Sequence, residues 1–197
     1  MNHALRAIGV GIISISIAGC AASLQITNTQ RSTIEQRLLV KSLERALSGL
    51  NITPLQSKTV AIDFYGLTSD ADFAKEFFIA WLQSQQVRVA SEPQKAQLHL
   101  KVFAQVLGVD KGGAFVGIPA LSVPVVSATV PELALFKSET HQGGAEIQVY
   151  TVDRGTGKFV DKSALGSGQA SYNQYTILIL IHFTRSDLDE KKIDEKK

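Results

Sequence analysis

The sequence predicts an α+β fold, a mostly antiparallel sheet with two amphipathic helices packed on one face, preceded by a signal peptide. Two stretches repeat apolar residues at helical spacing, several others alternate apolar with polar residues as half-buried strands do, and residues 1–20 run from basic to apolar to small.

The first helix begins at Ser32, which has the capping-box spacing to Glu35. Ile34, Leu38, Leu39, Leu43, Ala46, Leu47 and Leu50 follow helical periodicity, and Gly49 suits the end. Lys58 to Tyr65 alternates as a strand, with Val60, Ile62 and Phe64 on one face. From Asp70 to about Gln85, Phe73, Ala74, Phe77, Phe78, Trp81 and Leu82 form a broad apolar stripe, which suggests a helix lying on a sheet. Val87 to Ala90 is a short strand. Gln97 to Val109 is a long one, with Leu98, Leu100, Val102, Ala104 and Val106 pointing inward. Ala145 to Val152 alternates again, and Asp153-Arg154-Gly155-Thr156-Gly157 supplies the turn of a hairpin into Lys158 to Asp161. Ala164 to Tyr172 is small and polar, as an exposed strand would be. Tyr175 to Phe183 is a continuous apolar run, consistent with a strand buried on both faces or with a buried helix.

Arg6, the apolar run Ala7 to Ile17 and then Ile17-Ala18-Gly19-Cys20 have the layout of a secretory signal. The run is about half the roughly 20 residues of a spanning helix, so removal is expected rather than permanent insertion. Ile17 to Cys20 resembles the lipobox of bacterial lipoproteins, with Ile17 where leucine is usual. That resemblance implies cleavage before Cys20 and lipidation of its thiol, with anchoring by two or three acyl chains, palmitate among them. Ala21, where an aspartate would retain the protein at the inner membrane, implies the periplasmic side of the outer membrane. The expected organisation is 1–19 signal peptide, 20–31 lipidated cysteine and polar tether, 32–184 a single periplasmic domain, and 185–197 a charged tail.

Composition fits one globular core, with 45% hydrophobic and 19% charged residues. Twenty basic and 18 acidic residues give +2, and loss of Arg6 with the signal leaves 19 against 18. No nucleic-acid surface is implied. Cys20 is the only cysteine, so no disulfide holds the fold.

Gly112 to Phe136 is the unusual segment. Phe115, Val116, Ile118, Leu121, Val123, Val125 and Val126 lie in a stretch whose prolines, Pro119, Pro124 and Pro131, exclude a helix and argue against a regular lipid-facing strand ladder. Each large apolar side chain gains about 1.5–3 kcal/mol on burial, so something must cover them. Two covers are expected: the protein's own sheet, or a partner, a second copy or the bilayer surface.

Ser42-Leu43-Glu44-Arg45-Ala46-Leu47, Val116-Gly117-Ile118-Pro119, Pro131-Glu132-Leu133-Ala134-Leu135-Phe136-Lys137, and Tyr150 with Asp153 and Thr156-Gly157 resemble an uncharacterised family of bacterial envelope lipoproteins, a domain of unknown function. The resemblance implies an anchored periplasmic domain and carries no catalytic residue. The element order is also similar to that of the lipopolysaccharide-assembly and curli-secretion lipoproteins, a likeness of fold alone.

No enzyme is expected. Gly155-Thr156-Gly157-Lys158 lacks the first glycine and the final hydroxyl of a phosphate loop, and neither a G-x-S-x-G nor an H-E-x-x-H pattern occurs. His3, His99, His141 and His182 have no paired ligand spacing, so no metal or cofactor is expected. Asp63, near a strand end, reads as a solvated carboxylate. Gln97, His99, Lys101 and Gln105 read as a wet or partner-facing sheet surface. The expected function is a non-enzymatic accessory or structural component of an envelope assembly, with a protein partner or self-association beside the membrane anchor. The alternative is a carrier of a lipid or other apolar ligand, with Gly112 to Phe136 lining a groove beneath the Phe-rich helix.

Overall fold

The computed structural model describes residues 31–123 and 128–188, without side chains between 121 and 130. Thr33 to Lys197 forms one unit. The expected signal peptide, Cys20 and tether lie outside the described residues, as does the tail beyond Leu188.

Helix α1 (Thr33–Ser48) leads through a 3-10 turn (Thr53–Leu55) to β1 (Thr59–Gly66), then α2 (Ala71–Ser84) and β2 (Arg88–Val89). After a second 3-10 turn (Pro93–Lys95) come β3 (Leu98–Ile118), β4 (Leu121–Val123), β5 (Ala128–Val130), β6 (Leu133–Asp153), β7 (Phe159–Lys162), β8 (Gly166–Ile177) and β9 (Ile181–Ser186). The main sheet runs β2-β1-β3-β6-β8-β9, with β7 also on β6, while β4 and β5 pair separately. β1 is parallel to β2 and β3, since helical crossovers allow parallel neighbours; the pairs from β3 onward are antiparallel. The fold is α+β with a mostly antiparallel sheet.

One core unites both helices with one face of the sheet. Leu39, Leu43, Ala46 and Leu47 of α1 and Ala74, Phe78 and Leu82 of α2 close on Val60, Leu100, Val102, Leu107, Ala145, Ile147 and Val149. Of the Phe-rich stripe Phe78 is sealed, Phe77 and Trp81 pack against the core partly buried, and Phe73 stays half exposed.

Val106, expected inside, is 44% exposed, and Leu107 is 5% exposed instead. The cause is a bulge between Ala104 and Val106, which inserts one residue against β6 and reverses the alternation after it. Leu107→Ala should therefore cost about 2–4 kcal/mol in urea unfolding. Val106→Ala should cost less than about 0.5 kcal/mol.

The stretch expected to be an exposed strand, Ala164 to Tyr172, is covered by α1. A Cβ on Gly143 would stand 2.7 Å from the Leu38 carbonyl oxygen, and one on Gly168 would overlap the carbonyl of Ser42. The small residues are there because a helix backbone rests on them.

Tyr175 to Phe183 is neither a doubly buried strand nor a helix. It is a hairpin that turns at Leu178-Ile179-Leu180, where the Leu180 amide donates to the Leu178 carbonyl at 2.7 Å around Ile179. Leu178 and Ile179 have φ of 49° and 67°, left-handed values that branched side chains rarely adopt, so no ordinary turn residue marks the reversal.

The expected tail begins too early. Arg185 and Ser186 end β9, Leu188 is buried beside Leu38 and Ala170, and Asp187 accepts from Arg45 at 2.8 Å and from the Ser171 amide at 2.7 Å. Burial raises the Asp187 pKa, but the Ser171 amide and Arg45 outweigh it and hold the carboxyl below its ordinary range.

Candidate interaction surfaces

β3 and β6 are each 21 residues long, far more than the helices cover. Past Val109 they leave the core, and with the outer parts of β8 and β9 they form a four-stranded ribbon. Cross-strand register defines its two faces. On the side continuous with the helices, Lys111, His141 and Tyr172 form one row, Glu139 and Gln174 a second, and Phe115, Lys137, Thr176 and His182 a third. This side is mostly polar. Lys111 ties it to the nearly buried Glu35 of α1 at 2.7 Å, and Thr176 Oγ1 lies 3.0 Å from His182 Nδ1. Lys137 bridges Glu132 and Glu139 at 3.1 Å each, and those two hydrogen bonds raise its pKa.

The opposite, open side is polar near the core, where Asp110, Gln142, Asn173 and Arg185 lie, and apolar farther out. Tyr175 stacks on Phe183 with ring centroids 4.9 Å apart, beside Ala114 and Ser138. Above them Val116, Phe136, Ile177 and Ile181 form a second row, and Ile118 pairs with Leu133 in a third. Val116 is 57% exposed, and at the tip of the neighbouring hairpin Leu180 is 84% exposed. Three rows rise about 13 Å.

Of the segment singled out in the sequence, Gly112 to Ile118 joins the protein's own sheet as an edge strand and Leu133 to Phe136 pairs with it, so that these residues extend the sheet past its core instead of folding over it. Val116 and Ile118 lie on the apolar side and Phe115 on the polar one. Leu121 and Val123 belong to β4, and Val125 and Val126 lie outside the described residues. The prolines do not prevent a regular ladder. β3 and β6 pair without interruption from Val106–Glu146 to Val116–Phe136, because Pro119 follows the last residue of β3 and Pro131 precedes the first of β6. The cavity of about 290 Å³ that includes Phe78 and Leu82 is walled by Leu50, Ile52, Leu55, Leu98 and Val149, and none of the described residues between Gly112 and Phe136 lines it.

A second surface lies on the open side of the sheet nearer the core. Tyr65 stacks on Phe103 at 5.1 Å, Tyr150 meets Phe103 edge-on at 5.7 Å, and Lys162 Nζ lies 5.4 Å from the Tyr150 ring centre. Lys101, Phe103, Gln105, Tyr150, Val152 and Phe159 line a shallow groove of about 510 Å³ there. The expected wet face is therefore aromatic as well as polar. Tyr65 and Tyr150 stood in the sequence at the outward phase of their strands and could have been read so. Asp63 is not merely solvated, since it accepts from His99 Nε2 at 2.8 Å when the ring carries that proton.

The turn at Asp153 is as expected, with Asp153 Oδ1 accepting from the amide and hydroxyl of Thr156 at 2.8 Å each. These bonds, the hydroxyl first, lower the Asp153 pKa. Among the described residues no three His, Cys, Asp or Glu side chains gather as metal ligands, and no helix is long and apolar enough to cross a membrane.

Fold and surfaces together define an α+β domain that carries a projecting, two-sided β ribbon. Comparison with protein-family models and with curated proteins gives no match for this chain.

Proposed function

We propose that this protein is a lipoprotein of the bacterial envelope, anchored through Cys20 to the periplasmic side of the outer membrane, and that it acts as a non-enzymatic structural component of an envelope assembly. One observation carries the reading: the open side of the ribbon and its Leu178-Ile179-Leu180 tip expose a continuous apolar surface beyond the core. Water-exposed apolar surface of that extent marks a contact site rather than a solvated edge. The lipobox-like Ile17 to Cys20 supports a membrane address, and the polar stretch Ala21 to Arg31 supplies the reach to stand at it.

Cell fractionation tests the reading. The wild-type chain is expected in the outer-membrane fraction, shortened by the signal peptide. Cys20→Ala is expected to be unprocessed or soluble, with most of the chain lost from that fraction. A Cys20→Ala chain still processed and retained in the outer membrane would overturn it.

A further inference from the structure

We infer that the partner of the ribbon is a second copy of this chain, and that copies join head to tail, with β9 of one copy paired to the outer edge of β3 in the next. The inference deepens the function proposed above and rests on it for the setting.

Four features of the ribbon carry the inference. First, among the described residues its two edges are bare. β1 pairs with β3 only as far as Gly66–Ala104, so the edge from Val106 to Ile118 has no neighbouring strand among the described residues, and β9 ends the sheet on the other side. Neither edge contains a proline, the common block to strand addition.

Second, the strand directions fit. β3, β6, β8 and β9 alternate, so β9 runs opposite to β3. An even, four-strand unit lets identically oriented copies continue the antiparallel ladder across each junction. The apolar side of one copy then continues into the apolar side of the next.

Third, the edges are complementary in charge. Asp110 on the β3 edge and Arg185 on β9 both lie on the open side, both are exposed, and neither forms an ion pair within the described chain. Setting Arg185 opposite Asp110 of the next copy is a shift of two residues from level, since Arg185 stands in the row of Asn173, Thr140 and Gly112. That register keeps every side chain on its own face and puts Ile181 opposite Ala114.

Fourth, the apolar side and the bare edges make conflicting demands. The side chains favour an apolar surrounding, where unpaired backbone N–H and C=O groups are costly. A lone ribbon meets one demand only. Joined copies meet both, and such a heterologous contact closes into a ring where the rotation between copies permits it.

The test uses the full chain in intact cells, with Asp110→Cys and Arg185→Cys together, alone, or absent, under mild oxidation. The double variant is expected to give a ladder of dimers, trimers and larger species on a non-reducing gel, while each single variant stays at dimer or below. Charge exchange provides a second readout. Asp110→Arg or Arg185→Asp alone should lower amine-crosslinked oligomer by about fivefold, and the two together should restore it, as an exposed ion pair of about 1 kcal/mol would require. Monomer throughout, or dimers that a single cysteine variant forms equally well, would overturn head-to-tail pairing. Fractionating the same samples separates the two claims: monomer in the outer membrane refutes the edge pairing alone, a soluble ladder refutes the membrane setting alone, and soluble monomer refutes both.

Discussion

Changing Leu178-Ile179 to Asn-Gly is expected to stabilise the folded domain while weakening its association with membranes. The two effects have separate causes. Leu178 and Ile179 occupy left-handed backbone, where a branched side chain costs roughly 1–3 kcal/mol per residue and Asn or Gly costs little, so the double variant should gain about 2 kcal/mol or more in urea unfolding. The same change removes two side chains from the exposed apolar tip. At about 1.5–3 kcal/mol for each fully buried side chain, and half of that for a partly covered one, binding should fall by roughly 10–100-fold in flotation with vesicles of phosphatidylethanolamine and phosphatidylglycerol. A strained, apolar turn retained only for folding would give the first effect without the second. Equal flotation of wild type and variant would therefore remove the tip from the contact surface.

Gly168→Ala is expected to be among the most destabilising single-methyl additions in the domain, at about 3 kcal/mol or more, with Gly168→Leu leaving the chain unfolded. The methyl group would meet the Ser42 carbonyl and the Ala46 amide nitrogen of α1, which are backbone and cannot rotate away. Gly112→Ala is the control. No atom lies within 4 Å of its added Cβ, so the change should lie within about 0.5 kcal/mol of neutral. Thermal unfolding of the two variants side by side decides between a glycine that seats a helix and one that merely occurs in an exposed strand.

These contrasts mark where the sequence was legible. Periodicity located α1, α2 and β1, because their apolar residues meet a single core and each repeat has one physical cause. Asp153 to Gly157 was readable as a turn because its side chains and glycines do locally what a reversal needs. Three of the readings that failed did so where tertiary structure overrode a local rule. The bulge near Gln105 moved Val106 outward although Val106 keeps the phase of Leu98 to Ala104 in the sequence. Gly166, Gly168 and Ala170 looked like an exposed strand because smallness imposed by an overlying helix resembles smallness tolerated in solvent. The Ile177–Ile181 reversal has no Gly, Asn, Asp or Pro to announce it, and its apolar composition matched that of a buried strand.

The ribbon was half legible. Its unusual apolar content between Gly112 and Phe136 was evident, and so was the need for something to cover it. What the prolines would do was misjudged, since a proline forbids a ladder only where its nitrogen must donate, and Pro119 and Pro131 stand just beyond those positions. The second hairpin, Tyr175 to Phe183, was not connected to the first, because only pairing across the sheet makes them one surface.

The seat of α1 also sets an order of events. Arg45 donates to the Gln169 carbonyl, 124 residues further along the chain, and of the glycines beneath the helix Gly166 and Gly168 belong to β8. The first described helix therefore cannot complete its seat until nearly the last strand is available, although part of it already rests on β3 and β6, and contacts so distant in sequence form slowly. A chain exported in the direction of synthesis would cross the membrane with its core still open and close it only as β8 arrives. Truncation before β8 should for that reason leave α1 unseated and exposed to proteolysis, however intact the preceding strands.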